Sequence, residues 1–223
     1  MENFAYLSLL RKSPLFSEIS KENIQKICVC LNARERKIQK GSYIFRAGDD
    51  ARKVYIIISG SVHILDEDFW GNRTIIETMR AYTLFGEAYT ITASEKHIVS
   101  VAAVEDSTIL EMDPKLLFET CSKECDSHVR LVKNTTFILA KKIVLLTEKL
   151  GHIVQRTTRE KILSFLSQCA RQNQSNSFTI PYTRQQLADY LCIDRSALSH
   201  ELSRMRASGL IQYRKSQFEL FNK

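Results

Sequence analysis

Arg195, Ser196, Ser199 and His200 fall on one face, near the start of the second of two helix-like runs in TRQQLADYLCIDRSALSHELSRMR (residues 183–206). Short polar and cationic side chains at an exposed helix start suit the DNA major groove, where base-edge donors and acceptors await such groups. The opposite face carries Leu198, Leu202 and Met205 at helical spacing, so it is expected to be buried. Leu187, Ala188 and Leu191 give the first run an apolar face of its own, and Ile193 and Asp194 close the break. Asp194 is expected to cap the second helix through its carboxylate. Thr183 and Arg184, at the start of the first helix, are expected to hold phosphates and set register without reading sequence.

Other chemistry finds less support. The chain has no HExxH, GxSxG, Walker-A or GxGxxG pattern. Glu87 and His97 resemble an acid–base pair of the kind cupin enzymes carry on similar sheets, but His63 and His97 are isolated, whereas a cupin metal site needs two or more histidines. Cys28-x-Cys30 and Cys121-x3-Cys125 are the only closely spaced cysteine pairs, and neither has common iron–sulfur spacing. Cys28 and Cys30, two apart on a helix, point to different faces. Cys121 and Cys125 are spaced to meet on one face, as metal ligands, as a redox pair or as small buried apolar residues. No cofactor, iron–sulfur cluster or haem included, is expected. The protein is not expected to be an enzyme.

Charge is distributed unevenly. Residues 155–223 hold eleven Lys/Arg and five Asp/Glu, against 21 and 20 in residues 1–154. A basic terminal module on a nearly neutral body fits phosphate neutralisation better than a generally basic surface does. The 223 residues are 44% hydrophobic, enough for a real core. No apolar run reaches membrane-spanning length, and MENFAYLSLLRKSPLF lacks a basic stretch leading a long apolar one. A cytoplasmic protein with reduced thiols and no membrane partner is expected.

The helix pair needs elements to position it. Residues 14–32 read as a helical lead-in, with Ile24, Ile27 and Leu31 at helical spacing. From about 33 to 112, short β-rich runs alternate with turns: KIQKGSYIF, KVYIIISG, SVHILDED, NRTIIETM, HIVSVAAV and STILEM. Such spacing predicts an antiparallel sandwich or barrel. Val129, Val132, Thr136, Leu139, Ile143, Leu146, Leu150 and Ile153 then step alternately by three and four residues, an a/d seam. Phe137, Ala140 and Val144 form a second stripe, so one stripe is expected to face the sandwich and the other a partner helix. Gly151 and Gln155–Thr158 mark the expected hinge, 159–170 a further helix, and LIQYRKSQFELF a strand–turn–strand wing.

The chain resembles, over nearly its whole length, the transcription regulators of the CRP/FNR superfamily. KGSYIFRAGDD, VYIIISGSVHI and LFGEA are similar to that family's cyclic-nucleotide-binding β-roll, TEKLGHIVQRT to the end of its dimer helix, and TRQQLADYL with SALSHEL to its helix-turn-helix. The resemblance implies an α+β fold. Residues 1–125 would form a sensor β-roll of the jelly-roll (double-stranded β-helix) type, 126–154 a dimerisation helix, and 155–223 a winged helix-turn-helix. It implies a homodimer on a near-palindromic site in double-stranded DNA, with RNA polymerase a further partner if the protein activates transcription. It also implies an effector pocket at Gly86, Glu87, Ala88, His97, Ile98, Leu146 and Thr147.

Departures from the family refine this. Nucleotide-binding members follow FGE, ten residues on, with an Arg and a Ser/Thr that hold the phosphate. Here those positions are His97 and Ile98, and the polar pair that meets the purine corresponds to Leu146 and Thr147. Cyclic AMP is therefore not the expected ligand, and an unidentified small organic molecule with one polar end is. Members reading TGTGA- or TTGAT-like half-sites carry Glu at the Ser196 position and Arg at the His200 position. Cys192 takes a turn position usually held by Gly, at a cost on the order of 1–2 kcal/mol if the backbone there is left-handed. A redox- or metal-responsive regulator using Cys121 and Cys125 is the alternative within the family, and a cupin-like enzyme the alternative outside it.

Overall fold

The computed structural model describes residues 6–70, 73–92, 96–114, 117 and 126–221. By packing, the chain divides into two compact units, Met1–Leu139 and Ala140–Lys223.

Among the described residues of the first unit, eight strands form two antiparallel four-stranded sheets: β1 (Arg34–Ile38), β2 (Tyr43–Phe45), β3 (Val54–Ser59), β4 (Ser61–Glu67), β5 (Arg73–Arg80), β6 (Leu84–Phe85), β7 (Ser100–Ala103) and β8 (Ser107–Met112). The sheet orders are β1-β8-β3-β6 and β2-β7-β4-β5. Beside them lie the short helices α1 (Leu7–Leu10), α2 (Lys21–Cys30) and α3 (Glu87–Ile91) and the 3-10 turn Pro14–Phe16.

Strand β3 shows why the sequence VYIIIS is apolar without alternation. Successive side chains point to opposite faces of a sheet, and both faces here are covered. Tyr55 and Ile57 enter the core between the sheets, with Phe45, Val62, Phe85, Val101 and Ile109. Val54, Ile56 and Ile58 enter a second core, with Leu10, Phe16, Ile24, Ile27 and Leu131 from the helical layer. The lead-in is thus a wall of the sensor unit: α2 buries Ile24, Ile27 and Cys28 and leaves Cys30 exposed.

Helix α4 (Asp126–Ile153) is the long helix expected from the 3-4 spacing, but a different stripe faces the core. His128, Leu131 and Thr135 are buried, and Ile138 packs on the same cluster. Asn134 donates to the carbonyls of Leu15 and Ser17, each at 2.9 Å. Neither anticipated stripe takes that place: Phe137, Ile143, Val144, Leu146 and Leu150 are all more than half exposed. Polar residues at two of the core-facing positions hide that face from a hydrophobicity count. Gly151 lies within the helix, and the break comes later, at Val154–Thr157.

The second unit contains α5 (Thr158–Asn173), α6 (Arg184–Tyr190), α7 (Arg195–Ala207) and the sheet β10-β11-β9, made of β9 (Ser177–Thr179), β10 (Ile211–Arg214) and β11 (Gln217–Leu220). Its core joins Ile162, Phe165 and Leu166 of α5 to Leu187 and Ala188 of α6, Leu198, Leu202 and Met205 of α7, and Ile211 and Phe218 of the sheet. The expected wing is present, with a third strand, β9, inside what reads as a polar loop.

Candidate nucleic-acid interface and effector site

Helix α6 starts with a capping box. The Thr183 hydroxyl accepts from the Gln186 N–H at 3.3 Å, and the Gln186 side-chain oxygen accepts from the Thr183 N–H at 2.9 Å. It ends in a left-handed cap. Cys192 has φ of 52°, its N–H donates to the Asp189 carbonyl at 3.2 Å, and the Ile193 N–H donates to the Ala188 carbonyl at 3.0 Å. This is a Schellman pattern, and Ile193 packs on the core as the motif requires. Cys192 therefore occupies the left-handed position that Gly fills without strain.

Helix α7 follows with Asp194 at its N-cap in extended conformation, but the Asp194 carboxylate makes no capping hydrogen bond. Leu198, Leu202 and Met205 are fully buried, while Arg195, Ser196, Ser199 and His200 are exposed together on the other side. Among the described residues, no side chain pairs with Arg195 or His200. The helix is locked from behind by Glu201, which is buried and accepts from Arg159 of α5 at 3.3 Å and from Arg204 at 3.2 Å.

Arg184 is placed differently from a freely reaching phosphate contact. It is half-buried, its guanidinium carbon lies 5.0 Å from the Tyr213 ring centroid and 5.7 Å from that of Phe218, and burial lowers its pKa. Arg206, in the last turn of α7, lies 5.2 Å from the same Tyr213 ring. Sequence reading passed over both Tyr213 and Arg206. The signal was the two-residue turn of the wing, which sets Tyr213 opposite Phe218.

In the β-roll, Gly86 has φ of 82°, and a Cβ there would stand 3.0 Å from the Tyr55 ring, so the turn into α3 requires glycine. Glu87 and His97 are buried, whereas Ala88 and Ile98 are exposed, Ile98 by 72%. The His97 ring stacks on Phe45 at 3.7 Å and meets Tyr89 edge-on at 5.1 Å. Among the described residues, neither of its ring nitrogens has a hydrogen-bond partner. Burial lowers its pKa against the opposing pull of Asp49, which favours the neutral imidazole. Tyr55 and Phe85, 5.1 Å apart, extend this aromatic wall, and burial pushes the Tyr55 phenol up to about 12. Leu146 and Thr147 belong to the second unit. Leu146 is exposed, and the Thr147 hydroxyl donates to the Ile143 carbonyl of its own helix at 2.9 Å.

Among the described residues, no cluster of three His, Cys, Asp or Glu has the geometry of a metal site. Cys121 and Cys125 lie outside the described residues. Burial raises the Cys28 thiol to about 12 and the Cys169 thiol to about 11.

Residues 35–124 match the cyclic nucleotide-binding domain family, and residues 160–222 match the Crp-like helix-turn-helix domain family. The chain belongs to the CRP/FNR family of transcription regulators. Electron transport regulator A of Shewanella oneidensis is 26% identical over 189 residues, covering 80% of this chain and 71% of that protein. The anaerobic regulatory protein of Bacillus subtilis is 22% identical over 218 residues, 92% of this chain and 86% of that protein. Among solved structures, the c-di-GMP-responsive global regulator CLP of Xanthomonas campestris superposes with a TM-score of 0.60 at 19% identity, covering 92% of this chain and all of that one. DNR of Pseudomonas aeruginosa gives 0.51 at 21% identity, over 98% and 95% of the two chains. The α+β architecture of β-roll, long helix and C-terminal helix-turn-helix is thus the family's. No helix among the described residues is long and apolar enough to cross a membrane.

Proposed function

We propose that this regulator works as a homodimer on a near-palindromic operator and is governed by a small-molecule effector other than cyclic AMP. The proposed DNA contacts are Thr183, Arg184, Arg195, Ser196, Ser199 and His200. The observation that carries the reading is the recognition helix α7, sealed on its apolar side and open on its polar one. The basic excess in residues 155–223 supplies the phosphate term. Two such helices related by a dyad would enter successive major grooves about 34 Å apart.

Dimerisation is supported by the apolar length of α4 left open in one chain. Ile143, Leu146 and Leu150 continue the 3-4 seam, and each is more than half exposed. A stripe of that extent on a monomer marks an interaction surface. For the effector, the fit to a cyclic nucleotide phosphate is poor: His97 is packed face-on against Phe45 with its pKa lowered by burial, and Ile98 is exposed. We assign Gly86, Glu87, Ala88, His97 and Ile98 of the β-roll to the effector region, with an apolar, weakly polar guest; Leu146 and Thr147 enter only as the family resemblance implies. The protein is cytoplasmic and not an enzyme in this reading, with RNA polymerase its further partner if it activates.

Sedimentation and calorimetry test the two parts. The wild type is expected to sediment as a dimer at micromolar concentration, and Ile143→Glu with Leu146→Glu as a monomer with weakened DNA binding. Cyclic AMP, cyclic GMP and c-di-GMP are titrated in parallel, and no micromolar binding is expected for the first two. A monomeric wild type contradicts the dimer; tight cyclic AMP binding contradicts the effector assignment.

A further inference from the structure

We propose that Tyr213 is a positioning residue for DNA binding: its ring gathers Arg184 and Arg206 into one phosphate-gripping pair, making Arg206 a backbone contact that the helix-turn-helix pattern does not reveal. The inference rests on the DNA-binding reading above and adds to it a residue on the wing and one at the far end of the recognition helix.

The arrangement begins with strand register. Tyr213 of β10 pairs with Phe218 of β11, and Phe218 with Phe178 of β9. The rings accordingly stack across the sheet, at 5.7 Å for Tyr213–Phe218 and 6.4 Å for Phe178–Phe218. Phe178 and Phe218 are buried, which fixes the ladder from below, while Tyr213 at its end is half-exposed. Onto this end come two cations from different helices. Arg184 opens α6 and Arg206 closes α7, and their guanidinium carbons lie 5.0 and 5.2 Å from the Tyr213 centroid.

Two guanidinium groups on one ring are at most about 10 Å apart, so they repel to the extent that this separation falls below the screening length of about 8 Å at physiological salt. Among the described residues, neither has a carboxylate partner or a side-chain hydrogen bond, although each carries five N–H donors. The ring face offsets part of the repulsion through its quadrupole. What completes the site is an anion that is itself multiply charged and closely spaced, and a nucleic-acid backbone is one. Stacking also holds two long side chains in place before binding, so less rotamer freedom is lost when phosphates arrive.

Phosphate contacts are independent of sequence, so a mixed-sequence duplex serves as the probe. The full-length protein is titrated into it by fluorescence anisotropy across a salt series. Arg206→Ala is expected to lower the slope of log K against log salt by about 0.9. Tyr213→Leu is expected to weaken binding roughly fivefold to tenfold with a reduced slope, whereas Tyr213→Phe, which keeps the ring, binds within about twofold of wild type. Combining Arg206→Ala with Tyr213→Leu should cost less than the product of the two single losses. If Tyr213→Leu fails a thermal-unfolding check, Arg206→Ala and Arg206→Lys decide, the lysine keeping the slope but losing affinity. A wild-type slope in Arg206→Ala overturns the proposal. Wild-type binding by a folded Tyr213→Leu also overturns it. A wild-type protein that binds no duplex removes the DNA-binding reading as well, which separates the two failures.

Discussion

His97 lies flat against Phe45, with ring centroids 3.7 Å apart and planes 12° from parallel. The family resemblance implies an arginine at this position in members that bind cyclic nucleotides; here a buried imidazole stacked on Phe45 stands in its place. In the proposed effector region, this pairing favours apolar contact over anion binding. It also has a consequence for stability in acid.

Burial lowers the imidazole pKa at His97, His63 and His152 below the ordinary 6.5. A group depressed in this way binds fewer protons in the folded chain than in the unfolded one. Its contribution is fully present above the unfolded pKa and declines as pH falls below it. Melting temperature is therefore expected to drop as pH is lowered from 6.5 toward about 5. In His97→Phe, which keeps a stacked ring without a titrating nitrogen, that pH slope should be shallower. Equal slopes in the two proteins would remove His97 from the account.

Cys192 carries φ of 52° in the break of the helix-turn-helix. Cys192→Gly relieves a left-handed conformation and should stabilise the folded chain by about 1 kcal/mol, less than the full strain because glycine also loosens the unfolded state. Chemical denaturation would read this directly. A loss of stability would mean that the Cys192 side chain contributes more than its backbone costs.

Glu201 accepts from Arg159 and Arg204 behind the recognition helix. Both arginines are partly in water, at 39% and 64% exposure, so the pair contributes less than a sealed one would. Glu201→Gln is expected to cost about 1–2 kcal/mol in denaturant unfolding. It should also weaken DNA binding less than Arg195→Ala does, because it moves the helix rather than removing a contact. The reverse ranking would place Glu201 closer to recognition than its burial allows.

The parts of this molecule legible in its sequence are those in which burial repeats at the element's own period. Leu198, Leu202 and Met205 announce α7, and the alternation of glycines with β-branched runs announces the roll. Where both faces are buried, as in β3, the run reads as apolar and its β-branched residues still mark a strand. Other features carry too little pattern. Strand β6 is two residues, Leu84 and Phe85, and β9 shows one buried side chain, Phe178, inside a polar stretch. The core face of α4 includes His128 and Thr135, so polar residues sit where hydrophobic ones are counted. The Tyr213 ledge depends on a strand register and on two helix ends meeting a sheet, which no local spacing encodes. At the effector region, identities showed what is missing, but only the fold shows His97 packed inside and Ile98 turned out.

The central claim is that the exposed face of α7 reads a two-fold DNA site through Arg195, with Ser196 and His200 redirecting specificity. Selection of bound sequences from a random duplex pool, by the full chain and by Arg195→Ala, tests it most directly. The account predicts enrichment of an inverted repeat with half-site centres about one helical turn apart and a half-site other than TGTGA. Arg195→Ala should cost about 1–3 kcal/mol and relax one base position per half-site. Recovery of a TGTGA palindrome would contradict the roles given to Ser196 and His200, and failure to enrich any two-fold site would contradict the claim itself.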